Sequence, residues 1–306
     1  MTASSSAAPA ATFVTGDDLL ASLTRGDRVT VLDSNWHPGE NSSWLAYVSQ
    51  HIPGAMFCDP LAALAGTPAR GVGRNPLPQP DVLQRHCRDW GIDAAQPVRI
   101  YDAGRNLYAA RAWWVLRWAG HPDVAVLNGG TPAWEAAGGD VAAGVGALRG
   151  HGRFTVEPGS MPVATLEEVA EVSDALTGRG DGGTASSVPG AADVPVLVDA
   201  REESRYTGRR EALDRQAGHI PGAVSVPVWE LTEDDGTVAA PEVVRERLAG
   251  HGVTSGEGVI VYSGSGLHSS LFLAAMEYAG LTGARHYVGG WSQWAAVGSR
   301  PVDRGI

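Results

Sequence analysis

The pentapeptide HIPGA occupies residues 51–55 and recurs without change at residues 219–223. On either side of it, each half of the chain carries the same signals in the same order. A short apolar run precedes the pentapeptide, at 29–33 in the first half and at 195–199 in the second. A second apolar run, a pair of glycines and a tryptophan follow it in both halves. A fixed order of matched signals indicates that one domain has been duplicated.

The elements between the repeats alternate in type. Short β-branched runs predict buried strands, whereas the apolar stretches 109–119 and 269–279 have the length of helices and are followed by glycine. This alternation predicts an α/β fold in which each half has a mostly parallel sheet flanked by helices. The matched His51 and His219 predict a hydrogen bond that fixes the turn in each half, in preference to a metal site.

Composition divides the chain into four segments. They are a small, polar, disordered tail at 1–11, an N-terminal domain at 12–145, a linker at 146–162 and a C-terminal domain at 163–306. Thr165 and Glu168 predict a capping box at the first helix of the second domain. The stretch 178–193 is rich in Gly, Ser and Ala, and it predicts a flexible loop inside that domain.

Charge and composition limit the functions that the chain can have. Its net charge is −11, which argues against binding to nucleic acid or to an anionic membrane surface. There is no apolar run long enough to span a membrane, and the first dozen residues are predicted to be a disordered tail in preference to a signal peptide, so a cytoplasmic location is expected. Every basic side chain other than histidine is arginine, which excludes a Schiff-base lysine, and two cysteines are too few for a disulfide framework. A small molecule is the expected partner, and no metal or cofactor is predicted.

The segment SGSGLH at 263–268 joins a predicted strand to a predicted helix. Its glycines allow consecutive backbone N–H groups to turn inward, and the following helix contributes its positive end. The sequence therefore predicts a cradle for a small anion, formed by Ser263, Gly264, Ser265, Gly266, Leu267 and His268. His268 is the cradle side chain that can act as a base near neutral pH, with a solvent-facing position on the helix as the alternative.

Side chains near the ends of other strands extend this predicted site. Arg205 follows a strand of the same half and is predicted to bind the substrate anion, with a surface ion pair to Glu202 or Glu211 as the alternative. Three further side chains near strand ends or loops are assigned to the substrate cleft, namely Asp199, Trp36 and Tyr108.

With these motifs in place, the chain resembles the tandem-domain rhodanese family of thiosulfate and 3-mercaptopyruvate sulfurtransferases. The resemblance extends from about residue 14 to residue 302. The matching motifs are YVSQHIPGA at 47–55, NPLP at 75–78, AARAWW at 109–114, NGGTPAW at 128–134, VDAREESR at 198–205, GHIPGA at 218–223, YSGSG at 262–266 and GWSQW at 290–294.

The resemblance implies a reaction and a set of roles. Family members move a sulfane sulfur from a small anionic donor onto a cysteine as a persulfide, and then to a thiol or another acceptor. The N-terminal domain is usually silent and carries an acidic residue at the nucleophile position, which Asp102 matches. Ser263 stands where the C-terminal domain carries its cysteine, and Arg205 stands at a substrate-binding arginine. Ser265 matches a loop serine of the mercaptopyruvate branch, whereas Asn75 replaces a histidine found in many relatives.

Serine at position 263 leaves three interpretations open, because a hydroxyl group cannot replace the thiolate in persulfide transfer. In the first, the chain is an engineered cysteine-to-serine form of an ordinary sulfurtransferase. In the second, it is a diverged enzyme in which Ser263 and His268 perform non-persulfide chemistry on a small anion. In the third, it is a non-catalytic module that binds an anion or a partner. The first two predict an anion in the 263–268 loop, and the third predicts either an anion there or a partner at the domain interface.

Overall fold

The computed structural model describes residues 11–69, 71–146, 150–178 and 194–305. The predicted tail, apart from residue 11, and the predicted flexible loop beyond Gly178 lie outside these residues. In the described part, each half contains one parallel sheet flanked by helices. The predicted α/β fold class is therefore confirmed.

The first half has five parallel strands in the order β1-β5-β4-β2-β3. The strands are β1 (Phe13–Val14), β2 (Thr30–Asp33), β3 (Met56–Phe57), β4 (Val98–Tyr101) and β5 (Val124–Leu127). The helices are α1 (Gly16–Thr24), α2 (Ser42–Ser49), α3 (Pro80–Asp89), α4 (Leu107–Trp118) and α5 (Gly130–Ala136).

The second half has four parallel strands in the order β7-β6-β8-β9. The strands are β6 (Val196–Asp199), β7 (Val224–Ser225), β8 (Val259–Tyr262) and β9 (Arg285–Tyr287). The helices are α6 (Leu166–Thr177), α7 (Glu203–Tyr206), α8 (Pro241–Gly250), α9 (Leu267–Tyr278) and α10 (Gly290–Trp294), with a 3-10 turn at Val228–Leu231. The capping box predicted for Thr165 and Glu168 is present at the start of α6.

The HIPGA turns are fixed in the same way in both halves. Nδ1 of His51 lies 2.8 Å from the carbonyl oxygen of Tyr47, and Nδ1 of His219 lies 2.9 Å from that of Tyr206. Each imidazole also stacks on the ring of the same tyrosine. The predicted turn-fixing hydrogen bonds are confirmed.

The two halves are joined through the equivalent helices α4 and α9, which pack against each other. One hydrophobic cluster contains residues of both helices, among them Trp113, Trp114, Leu271 and Phe272. Both helices begin two residues earlier than the apolar stretches predicted. Because Gly266 adopts a left-handed conformation (φ 89°) that closes the loop, α9 begins at Leu267. Leu267 and His268 are therefore first-turn helix residues.

Candidate active site

The 263–268 segment follows β8 directly and leads into the N-terminus of α9. Ser263 is fully buried, and its Oγ accepts a hydrogen bond from the N–H of Gly266 at 3.2 Å. In the described part of the chain, no acceptor is found for the backbone N–H groups of Gly264, Ser265, Leu267 and His268. The segment thus offers several N–H donors at the positive end of a helix, which is the arrangement that binds a small anion.

The equivalent loop of the first half is filled by its own carboxylate. Oδ1 of Asp102 accepts from the N–H groups of Gly104 (3.0 Å) and Asn106 (2.9 Å). Oδ2 accepts from those of Tyr108 (3.0 Å) and Ala109 (3.2 Å). Burial raises the pKa of the Asp102 carboxyl group, and these four donors counter that effect by stabilising its ionised form. The donors that would hold a ligand are therefore already in use.

Two guanidinium groups lie over Gly264 at the mouth of the loop. A Cβ atom on Gly264 would lie 3.1 Å from NH2 of Arg74 and 3.2 Å from NH1 of Arg205. NH2 of Arg205 binds both carboxylate oxygens of Glu211 at 2.9 Å and Asp214 at 3.2 Å, and Arg74 also pairs with Asp214. Arg205 is thus both paired with Glu211 and next to the loop. Among the described residues no ion pair joins it to Glu202.

The first half of the chain contributes a segment, 71–75, to the site in the second half. Nδ2 of Asn75 donates to Oγ of Ser265 at 3.1 Å, so the asparagine occupies the side of the loop. The segment is held by α10, because the Arg74 N–H donates to Ser292 Oγ at 3.0 Å and Gln293 Nε2 donates to the Gly71 carbonyl at 2.6 Å. The site therefore lies at the junction of the two halves.

A buried arginine lies beneath the loop. Arg111, on α4, is 1% exposed, and its NH1 would lie 2.9 Å from a Cβ atom on Gly266. Its NH2 donates to the carbonyl groups of Leu64 (3.2 Å) and Asn75 (3.1 Å). Nε and NH1 have no hydrogen-bond partner in the described part of the chain, and no carboxylate pairs with the group there. Burial lowers the pKa of Arg111 to about 10, so it is a cation at neutral pH.

His268 lies in the first turn of α9, next to Ser269. Its ring packs edge-to-face against Trp229, with centroids 5.4 Å apart. It lines a cavity of about 270 Å³ together with Arg205 and Leu213. Burial lowers the pKa of His268 to about 4, which leaves the imidazole neutral near pH 7. Within the described residues it forms no hydrogen bond with Ser263; that contact comes from Ser269, at 3.0 Å.

The other predicted cleft residues are placed as follows. Asp199 is fully buried and binds Nε and NH2 of Arg201 at 2.6–3.0 Å. Trp36 stacks on Tyr108 with ring centroids 5.7 Å apart. For this pair, the described residues show no hydrogen bond or ring contact with the 263–268 segment. Of the cleft residues, Arg205 is the one brought next to the loop.

Four site residues were not predicted from the sequence: Arg74, Arg111, Ser269 and His286. The signal for Arg111 was available, since it is a single charged side chain within the apolar run AARAWW at 109–114. His286 is likewise a polar residue in a buried strand. Among the described residues, no cluster of His, Cys, Asp or Glu is suited to hold a metal ion. No described helix is long and apolar enough to cross a membrane.

Comparison with known proteins agrees with this architecture. A family model described as "Rhodanese-like domain" matches residues 15–137 and 187–297. The chain is 36% identical over 293 residues to "Putative thiosulfate sulfurtransferase SseB" of Mycobacterium tuberculosis, covering 96% of this chain and 97% of that protein. It is also 36% identical over 303 residues to "Probable 3-mercaptopyruvate sulfurtransferase" of Pseudomonas aeruginosa, covering 96% and 99%.

Solved structures show the same fold. SseA from Escherichia coli matches with a TM-score of 0.75 and 26% identity, over 92% of this chain and 99% of that one. A 3-mercaptopyruvate sulfurtransferase from Leishmania major matches with a TM-score of 0.79 and 22% identity, over 96% and 77%.

Two copies of one α/β domain, with a filled loop in the first and an open loop in the second, define a tandem rhodanese protein. The chain belongs to the rhodanese family of thiosulfate and 3-mercaptopyruvate sulfurtransferases, which are enzymes that transfer sulfur-containing groups. The family predicted from the sequence is thereby confirmed.

Proposed function

We propose that this chain binds a small anionic sulfur donor, of the thiosulfate or 3-mercaptopyruvate kind, in the 263–268 segment. We further propose that, with Ser263 in place, it does not carry sulfur as a persulfide. The observation that carries the proposal is the contrast between the two loops. Asp102 uses four N–H donors in the first half, whereas four N–H groups of the second loop have no acceptor among the described residues.

The charges around the loop support an anionic ligand. At its mouth, the positive charges of Arg74 and Arg205 are offset by Glu211 and Asp214, which leaves little net charge there. Beneath it, Arg111 has no paired carboxylate in the described chain, so its charge is not offset. A buried cation without a counter-ion costs several kcal/mol, and an anion bound close to it recovers part of that cost. The field within the loop therefore favours a negative ligand.

With serine at position 263, the loop is expected to bind a sulfur donor without transferring its sulfur. In a family member with cysteine, the thiolate attacks the sulfane sulfur of thiosulfate, a sulfur–sulfur bond forms and sulfite leaves with the electron pair of the broken bond. At neutral pH the hydroxyl of Ser263 is protonated and is a weak nucleophile without an adjacent base. The chain as it stands is thus expected to bind the donor and to release it unchanged.

The experiment compares the unsubstituted chain, which carries Ser263 and is here called the native chain, with its Ser263→Cys variant. With thiosulfate or 3-mercaptopyruvate as donor and cyanide as acceptor, the variant should form thiocyanate, because the loop then holds a thiolate at the positive end of α9. The native chain and Ser263→Ala, the matched control, should form none. Mass spectrometry of the variant should show one added sulfur atom at residue 263 after exposure to donor alone.

Binding is measured separately, by calorimetric titration of the native chain with thiosulfate. Saturable binding without turnover is expected. A Ser263→Cys protein that stays inert with both donors, together with a native chain that binds neither, would refute the proposed function.

A further inference from the structure

A row of buried polar side chains leads from Ser263 to α9 and β9. Oγ of Ser263 lies 3.0 Å from Oγ of Ser269, and Oγ of Ser269 lies 2.7 Å from Nε2 of His286. All three residues are fully buried. The row connects the loop to α9 and β9, and hydrogen bonds can run along it in either direction.

Each direction gives Ser263 a different role. If Nε2 of His286 accepts, then Ser269 donates to the imidazole and Ser263 donates to Ser269, which would prepare Ser263 to lose its proton as a nucleophile. If Nε2 carries the hydrogen, then His286 donates to Ser269 and Ser269 donates to Ser263. In that case Ser263 Oγ is an acceptor for its neighbours, and its own hydrogen is free to point elsewhere.

The surroundings of His286 favour the second direction. The first direction requires a hydrogen on Nδ1, and no acceptor for it exists among the described residues. A histidine base normally has an acceptor at that nitrogen, most often a carboxylate, which stabilises the imidazolium as it forms. On the sides of His286, Ser269 contacts Nε2 and the ring of Trp114 packs edge-to-face at 4.6 Å. Neither neighbour replaces the missing acceptor.

The charged group near His286 is the Arg111 cation, which opposes protonation of the imidazole and so disfavours a role as a base. Burial lowers the pKa of His286 well below its usual range, and the Arg111 guanidinium lowers it further. No carboxylate contributes to this balance within the described residues. Since both effects oppose a positive imidazole, His286 cannot readily take a proton from Ser269, whereas a neutral imidazole can still donate from Nε2.

We infer that Ser269, held by His286, is a positioning residue that donates a hydrogen bond to the side chain at position 263, and that the Ser263 hydroxyl is thereby directed at a bound anion instead of acting as a nucleophile. Oγ of Ser263 then receives two hydrogen bonds, from Ser269 and from the Gly266 N–H. Its hydrogen joins the N–H donors of the loop. This inference deepens the proposed function and rests on it for the identity of the ligand.

The same geometry has a consequence that can be measured without any ligand. If cysteine replaced Ser263, the donors at Ser269 and Gly266 would point at its sulfur and stabilise the thiolate. In a Ser263→Cys background, Ser269→Ala should therefore raise the midpoint of the thiol titration by about one pH unit, the worth of one hydrogen bond to a charged group. Thiolate absorbance and alkylation rate against pH give the midpoint, with Ser263→Ala as the blank for Cys58 and Cys87.

Ser270 provides the matched control. It is a buried serine on the same helix, and its hydroxyl donates to the Gly266 carbonyl at 2.6 Å. Among the described residues it forms no hydrogen bond with Ser263. Ser270→Ala removes an equal volume and one hydrogen bond, so it should leave the thiol midpoint unchanged. Ser269→Thr, which keeps the hydroxyl group, should restore the original value. Equal shifts in the Ser269→Ala and Ser270→Ala proteins would overturn the inference, because they would reflect a general disturbance of the loop.

The native serine protein gives two further readouts. Ser269→Ala should weaken thiosulfate binding about tenfold in calorimetry, since the Ser263 hydroxyl is then free to turn away from the ligand.

An activated ester such as p-nitrophenyl acetate should leave Ser263 unmodified in mass spectrometry. Acylation of Ser263 that is lost in His286→Gln would show that the row runs in the nucleophilic direction and would overturn the inference. If the native chain binds no thiosulfate while the thiol midpoint responds as expected, the proposed ligand fails and the direction of the hydrogen bonds stands.

Discussion

At the scale of single residues, the site is determined by which polar groups are already paired. The Asp102 carboxylate accepts four N–H groups, Asp199 forms an ion pair with Arg201, and Glu211 forms an ion pair with Arg205. Arg111 differs from them, since two of its nitrogens and its whole charge lack a partner in the described chain. A residue that stabilises the fold is usually paired, so an unpaired cation next to the loop proposed to bind an anion is more simply explained by ligand binding than by stability.

Arg111→Met tests this explanation, because the two roles predict opposite results. Replacing an unpaired buried charge by an apolar side chain of similar length should leave the free energy of unfolding unchanged or raise it by about 1–2 kcal/mol in the absence of ligand. The stabilisation that thiosulfate confers should fall, since the charge that attracts it is gone. Urea denaturation with and without thiosulfate measures both quantities. Arg111→Lys, which keeps the charge, is the control, and an equal loss of stability with and without ligand would assign Arg111 to the fold alone.

At the scale of elements, the halves repeat one another in detail. Helices α1 and α6 both begin with a capping box, Thr15 with Asp18 in the first half and Thr165 with Glu168 in the second. The second box was predicted from the sequence because threonine followed three positions later by glutamate is the usual signature. The first has aspartate at that position and was not predicted.

The capping box of α6 has a measurable contribution. Oγ1 of Thr165 accepts the Glu168 N–H at 3.2 Å, and the Thr165 N–H donates to the Glu168 carboxylate at 2.7 Å. Thr165→Ala should lower the free energy of unfolding by about 1 kcal/mol, because an N–H group at the start of the helix loses its partner. Thr165→Ser retains the oxygen and should change stability little. If Thr165→Ala and Thr165→Ser lowered the free energy of unfolding equally in chemical denaturation, the hydrogen bond to the Thr165 oxygen would not be the source of the stabilisation.

A structural feature can be predicted from the sequence when the residues that determine it are close together along the chain. Buried strands, HIPGA turns and helix caps depend on residues within a few positions, and these predictions agree with the structure. The roles of Arg74, Arg111 and His286 depend on contacts between α4, α9 and segment 71–75, which no local pattern contains. His268 was predicted as a base within hydrogen-bond reach of Ser263 or of bound substrate, because it lies in the same short segment. Since Leu267 begins a helix, His268 lies in the first helical turn, where its side chain lines the cavity beside Arg205 and forms no hydrogen bond with Ser263 among the described residues.

At the scale of the whole molecule, the shared hydrophobic cluster predicts that both halves unfold together. Phe272 is a fully buried member of that cluster on α9. Phe272→Ala should lower stability by about 3–5 kcal/mol, and hydrogen exchange should speed up in the strands of both halves. Leu45→Ala, at a side chain that is 63% exposed, is the surface control and should change stability by less than about 0.5 kcal/mol. Faster exchange confined to the second half would show that the halves are separate folding units.

The carboxylate of Asp102 has a further consequence for how the two halves respond to their surroundings. A ligand attached to the chain cannot be diluted, so the loop of the first half is held in its occupied state at every concentration of soluble anion. Among the described residues the loop of the second half has no such carboxylate, so under the proposed function its occupancy should follow the concentration of the anionic ligand in solution. Under the proposed function, the first copy is therefore permanently filled by its own carboxylate, whereas the filling of the second copy depends on the ligand concentration.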